Sequence, residues 1–142
     1  MKEKQEELLI DKAMEARERA HASFSGFRVG AALLCKGGKV YTGCNIENPS
    51  LSLSLCAERV AFIKAISEGD MEFEILAVVA DTPFITYPCG ACRQMIREFG
   101  GELRIILANL KGMRESTTIR ELLPKPFDFH PGQDNGTHVR TI

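Results

Sequence analysis

Two short segments constrain this 142-residue chain more than anything else in it: Cys56-Ala57-Glu58-Arg59 and Pro88-Cys89-Gly90-Ala91-Cys92. Each lies where a helix is expected to begin. A fold that uses them together must bring two helix N-termini to one point. Cys89 and Cys92 stand three residues apart and share one helix face, while Cys56 opens a different helix. Unpaired N–H groups and the positive end of the helix dipole favour thiolate over thiol at such positions. Three thiolates can hold one zinc ion and leave a fourth position open for water, which separates a catalytic zinc from a structural one.

Glu58 follows the first of these cysteines by two residues and is not needed as a ligand. As a first-turn residue it points at the same place, where it could take a proton from water and deliver it to a substrate nitrogen. Its other reading is a surface glutamate that favours the helix dipole. Three thiolates over-neutralise a divalent ion, and Arg59 is the nearest group able to offset this by hydrogen-bonding the sulfurs. Otherwise Arg59 is a solvated helix residue.

The cysteines alone leave further readings open. A single C-x-x-C is a weak signal: it could be half of a four-cysteine structural site completed by Cys44 or Cys35, or a redox pair. Against the redox pair, no Trp stands beside the motif, and a third cysteine opens a second helix in company with Glu58. Cys44 lies at the end of an expected strand and Cys35 at the hairpin, and both read more simply as buried thiols.

Around these motifs the pattern predicts a helix over 4–22, with Leu9, Ala13, Ala16 and Ala20 at helical spacing. Ser23-Phe24-Ser25-Gly26 breaks it. Two strands, Phe27–Cys35 and Lys39–Asn45, flank a Gly37-Gly38 pair that suits a two-residue hairpin turn. A helix over 56–68 follows, then the apolar run Phe73–Ala80 as a buried strand. Pro88 precedes a helix over 89–98. Leu103–Leu107 reads as a short strand and Thr118–Leu123 as a last short helix. This order implies an α/β layered fold with a mixed sheet, one domain over 1–128, and an irregular tail over 129–142.

A formal net charge of −1 gives no reason to expect a nucleic-acid partner. No apolar run approaches the roughly 18–20 residues that span a bilayer, so no membrane partner is expected. Met1 to Glu7 is charged and polar, unlike a signal peptide. The cytoplasm is the expected compartment, where five cysteines read as ligands or thiols rather than disulfides.

Cys-Ala-Glu-Arg followed by Pro-Cys-Gly-Ala-Cys-Arg-Gln resembles the zinc-dependent cytidine deaminases, in particular the small homotetrameric kind with three cysteine ligands. Phe27-Arg28-Val29-Gly30-Ala31-Ala32-Leu33, Gly43-Cys44-Asn45-Ile46-Glu47-Asn48 and Glu121-Leu122-Leu123-Pro124 look like family segments in family order. The resemblance covers residues 8–127 and implies a three-layer α/β/α fold. It also implies that Cys56, Cys89 and Cys92 bind Zn²⁺ and that Glu58 shuttles the proton as cytidine or deoxycytidine becomes uridine or deoxyuridine in pyrimidine salvage.

By the same resemblance Asn45 and Glu47 hydrogen-bond a ribose hydroxyl, Phe27 lies against the pyrimidine and the main chain of Ala57 contacts the base. Phe127 matches an aromatic that reaches a neighbouring subunit's site, which implies a homotetramer with sites at subunit interfaces. Two departures stand out: Phe24 and Leu51 occupy places where the family often carries tyrosine. A cytosine-containing antibiotic such as blasticidin S is the rival substrate.

Overall fold

The computed structural model describes residues 2–129, so the expected tail lies outside the described residues apart from Phe129. The chain opens with α1 (Lys2–Arg17), which buries Leu9, Ile10, Ala13 and Ala16 on one stripe. This helix stops at Arg17 rather than at residue 22. The reason is tertiary: the His21 N–H donates to the Asn45 carbonyl and its own carbonyl accepts from the Glu47 N–H, both at 2.9 Å. A helical His21 would surrender both bonds.

The strands β1 (Val29–Cys35) and β2 (Val40–Cys44) form an antiparallel hairpin. Its turn is wider than the expected two residues. Gly38 N–H bonds to the Cys35 carbonyl and Cys35 N–H to the Lys39 carbonyl, both at 2.9 Å, enclosing Lys36, Gly37 and Gly38. Of the two glycines only Gly38 has a positive φ, 98°. A tight type I′ turn needs two such residues in succession, so the loop takes the longer form.

Next come α2 (Ala57–Ser67) and β3 (Phe73–Ala80), both close to expectation. The helix expected over 89–98 is α3 (Gly90–Met95), which widens into a π-helical turn over Ile96–Gly100. It is followed by β4 (Arg104–Asn109), β5 (Arg114–Thr118) and α4 (Ile119–Leu122). The Thr118 hydroxyl caps α4 by accepting from the Glu121 N–H at 3.3 Å. The strand β5, Arg-Glu-Ser-Thr-Thr, carries no apolar alternation and is invisible to a hydrophobicity reading. It is an edge strand, where polar side chains suffice and discourage further pairing.

The sheet order is β2-β1-β3-β4-β5, with β3–β4 its parallel pair. Period-two alternation splits β3 between two cores. Ile75, Ala77 and Val79 pack with Leu9, Ile10 and Ala13 of α1, whereas Leu76 and Val78 pack with Ala57, Ala61, Phe62 and Ala65 of α2. The expected three layers, helix, mixed sheet and helix, are therefore present. No helix among the described residues is long and apolar enough to cross a membrane.

Gly43 of β2 sets how closely α2 can approach. A Cβ there would lie 2.4 Å from the Ala57 carbonyl oxygen and 2.7 Å from the Ala61 nitrogen. Backbone atoms cannot step aside as a flexible side chain can. Gly43→Ala is therefore expected to lower stability by about 1–3 kcal/mol in urea unfolding. The helix end it displaces carries Cys56 and Glu58, so activity should fall even at temperatures where the variant stays folded.

Candidate active site

Cys56 and Cys89 are the N-cap residues of α2 and α3, both in extended backbone conformation, and neither side chain caps its own helix. Their sulfurs are therefore free for other bonds, and they lie 3.6 Å apart. Cys92, one turn into α3, is fully buried, and the Sγ atoms of all three cysteines fall within 4.8 Å of one another. Among the described residues this is the one group of three or more side chains placed to share a metal ion. A tetrahedral zinc with Zn–S bonds of about 2.3 Å requires sulfurs about 3.8 Å apart, so the cluster fits that ion.

The thiols already share protons unequally. A hydrogen bond from Cys92, aided by Arg59, pushes the Cys56 thiol down to about 5. The same bond, together with burial, pushes Cys92 up. Arg59 donates from Nη2 to the Ser54 carbonyl at 3.0 Å and reaches the Cys56 sulfur at 3.8 Å. Burial is the largest single influence and works against its charge, yet the bonds and charges of Cys56 and Cys92 together outweigh it and raise its pKa. Its Nε is buried without a partner.

Glu58 is only 5% exposed, and burial pushes its carboxyl from the ordinary 4.5 up to about 7. Near neutral pH such a group can both accept and give a proton, as a proton carrier must. Cys35, by contrast, is a buried thiol pushed up to about 12 by burial and then by Asp70. It is inert, and neither it nor the half-buried Cys44 joins the cluster.

Cys56 to Arg59 and Pro88–Cys89 line a cavity of about 380 Å³, within the range that holds small ligands. Phe27, Asn45 and Glu47 line the same cavity. The Asn45 amide is already engaged: Oδ1 accepts from the Val29 N–H and Nδ2 donates to the Phe27 carbonyl, both at 2.8 Å. Each of these atoms keeps capacity for one more bond. Glu47 Oε1 accepts from the Phe24 and Ser25 N–H groups at 2.9 Å, and Oε2 accepts from the Ser25 hydroxyl. These bonds, the hydroxyl first, hold its carboxyl below the usual range. A second cavity, about 420 Å³ and lined by Arg97, Arg120 and Leu123, contains no cysteine.

Phe127 does not line the cavity of its own chain. It is 72% exposed, its ring stacks on Phe129 at 6.5 Å, and its carbonyl accepts from Gln94 Nε2 at 2.7 Å. Several residues around the site were assigned no role from the sequence. Arg93 donates from Nε to the Pro88 carbonyl at 2.7 Å and from Nη1 to the Leu122 carbonyl at 2.6 Å, tying the Cys89 loop to α4. Tyr87 lines the cavity and donates to Glu115 at 3.0 Å. Ser25 also lines it.

Residues 3–108 match the family described as cytidine and deoxycytidylate deaminase zinc-binding region, a span holding all three clustered cysteines and Glu58. The chain belongs to this deaminase family. A cytidine deaminase of Sporosarcina psychrophila is 53% identical over 122 residues, covering 85% of this chain and 90% of that one. One from Halalkalibacterium halodurans is 48% identical, covering 85% and 92%. The crystal structure of cytidine deaminase from Burkholderia pseudomallei superposes with a TM-score of 0.83 at 45% identity, covering 85% of this chain and 98% of that one. The deaminase family's zinc-binding region and the three-sulfur cluster agree on the cofactor, which is Zn²⁺.

Proposed function

We propose that this protein hydrolyses cytidine and deoxycytidine to uridine and deoxyuridine with release of ammonia. One observation carries the reading: three clustered sulfurs and a buried glutamate with a pKa near 7 adjoin a cavity of nucleoside-compatible size. In this reading Cys56, Cys89 and Cys92 hold the zinc. When bound, zinc acts as a Lewis acid that makes water nucleophilic near neutral pH.

Glu58 takes a proton from the attacking water and delivers it to ring N3, which makes C4 a better electrophile. The water oxygen forms the new bond to C4, the C4–N bond breaks, and the amino group departs as ammonia with a proton relayed by Glu58. Arg59 offsets the excess negative charge of three thiolates. The Phe27 ring packs against the pyrimidine, the Ala57 main chain meets the base, and Asn45 and Glu47 bond a ribose hydroxyl. That last pair favours a nucleoside over a cytosine-containing antibiotic.

The reading extends to a homotetramer in which Phe127 serves a neighbour's site. Its exposed ring, and exposed Leu51 at the cavity, support this part. Sedimentation velocity should show a tetramer, and a fully active monomer would overturn that part. The proposed setting is pyrimidine salvage in the cytoplasm, whose reducing environment keeps a thiolate site intact. The test of the activity follows the ultraviolet absorbance of cytidine with the zinc-loaded protein. Conversion to uridine is the expected result; no turnover by folded, zinc-loaded protein would reject the reading.

A further inference from the structure

The connection between α1 and β1 converges on one carboxylate. Glu47 receives two backbone N–H bonds from Phe24 and Ser25 on Oε1 and the Ser25 hydroxyl on Oε2. That hydroxyl is shared. Its oxygen accepts from the Phe27 N–H at 3.0 Å, while its proton goes to Glu47. A hydroxyl has one proton to give, so its donor capacity is spent and its orientation is set. The other side of the Phe27 peptide is held as well, since its carbonyl accepts from Asn45 Nδ2. The loop's other serine has different work: Ser23 Oγ lies 3.4 Å from His21 Nε2. Ser25, Phe27 and Glu47 all line the cavity that Glu58 and Cys89 also line.

We infer that Ser25 is a positioning residue of the substrate pocket, its hydroxyl fixing the Glu47 carboxylate and the Phe27 backbone in one arrangement. The inference rests on the reading that Glu47 and Phe27 contact the nucleoside. Ser25 acts through both, so the grip on the sugar and the grip on the base are coupled at a single oxygen. The cysteine cluster and Glu58 make no bond to Ser25. Its loss therefore weakens substrate binding and spares the chemical step. Ser25 is exposed, and its replacement leaves the core untouched.

Steady-state kinetics on zinc-loaded protein with cytidine test this. Ser25→Ala should raise KM roughly five- to tenfold with kcat within about twofold, the loss in binding that one ordinary hydrogen bond is worth. Ser25→Thr, which keeps the hydroxyl, should restore KM. In a Glu47→Gln background Ser25→Ala should raise KM by less than about half that factor, because residues acting as a unit are not additive. An equal rise in both backgrounds, no rescue by threonine, or a loss confined to kcat would each overturn the inference. The underlying reading fails separately, if Glu47→Gln and Phe27→Ala both leave KM unchanged.

Discussion

Glu58→Gln should lower kcat for cytidine by about 10²–10⁴-fold while zinc content and fold are retained. Glutamine matches the shape of glutamate but cannot take a proton from water or return one to N3. The side chain is 5% exposed, so bulk water has little access to replace it. Retention of more than about a tenth of wild-type kcat would remove Glu58 from the proposed role.

The same substitution has an opposite effect on stability, with a definite pH dependence. Burial raises the Glu58 pKa from 4.5 to about 7 in the folded chain. Between those values the native state holds a proton that the unfolded state has released, so stability falls as pH rises through this window. Below pH 4.5 both states are protonated and no penalty exists. At about 1.4 kcal/mol per pH unit, the gap from 4.5 to about 7 amounts to on the order of 3 kcal/mol once the group is fully ionised. Metal-free Glu58→Gln should therefore be more stable than metal-free wild type at pH 8, with the advantage absent near pH 4. Urea unfolding at the two values measures it, and an advantage independent of pH would contradict the buried-carboxyl account.

The second large effect separates two cysteines of equal burial. Cys92→Ala should lower zinc affinity more than roughly hundredfold, beyond what loss of an outer hydrogen-bond partner costs, and abolish measurable turnover. Cys35→Ala should leave zinc stoichiometry and kcat unchanged. Both side chains are fully buried, yet Cys92 lies within 4.8 Å of two other sulfurs, while Cys35 sits at the hairpin beside Asp70. A chromophoric chelator titration reads the zinc directly. Loss of zinc from Cys35→Ala, or full zinc in Cys92→Ala, would reassign the ligand set.

Burial alone could not make that distinction, and neither could the spacing of the cysteines. Cys89 and Cys92 announce themselves because three residues make one helical turn, a local geometry that the chain carries wherever it goes. Cys56 was legible as an N-cap with Glu58 behind it. That Cys44 and Cys35 stay out of the cluster depends on the sheet, which places both away from the two helix ends. The clearest failures of the sequence reading have the same origin. The first helix ends early because the backbone of His21 is taken by Asn45 and Glu47. The strand β5 was missed because an edge strand needs no apolar face.

Residue identity by itself determined the chemistry available here: three thiols at helix starts, a glutamate beside one of them, and alternating apolar strands able to bury a two-faced sheet. These follow from helix and strand periodicity, which act over a few residues. Only the tertiary structure decided that Gly43 lets α2 settle against β2, that Arg93 ties the Cys89 loop to α4, and that Ser25 joins Phe27 to Glu47. Those are close contacts between distant segments. Whether they form depends on placing distant segments to within a few tenths of an ångström, which no local pattern encodes.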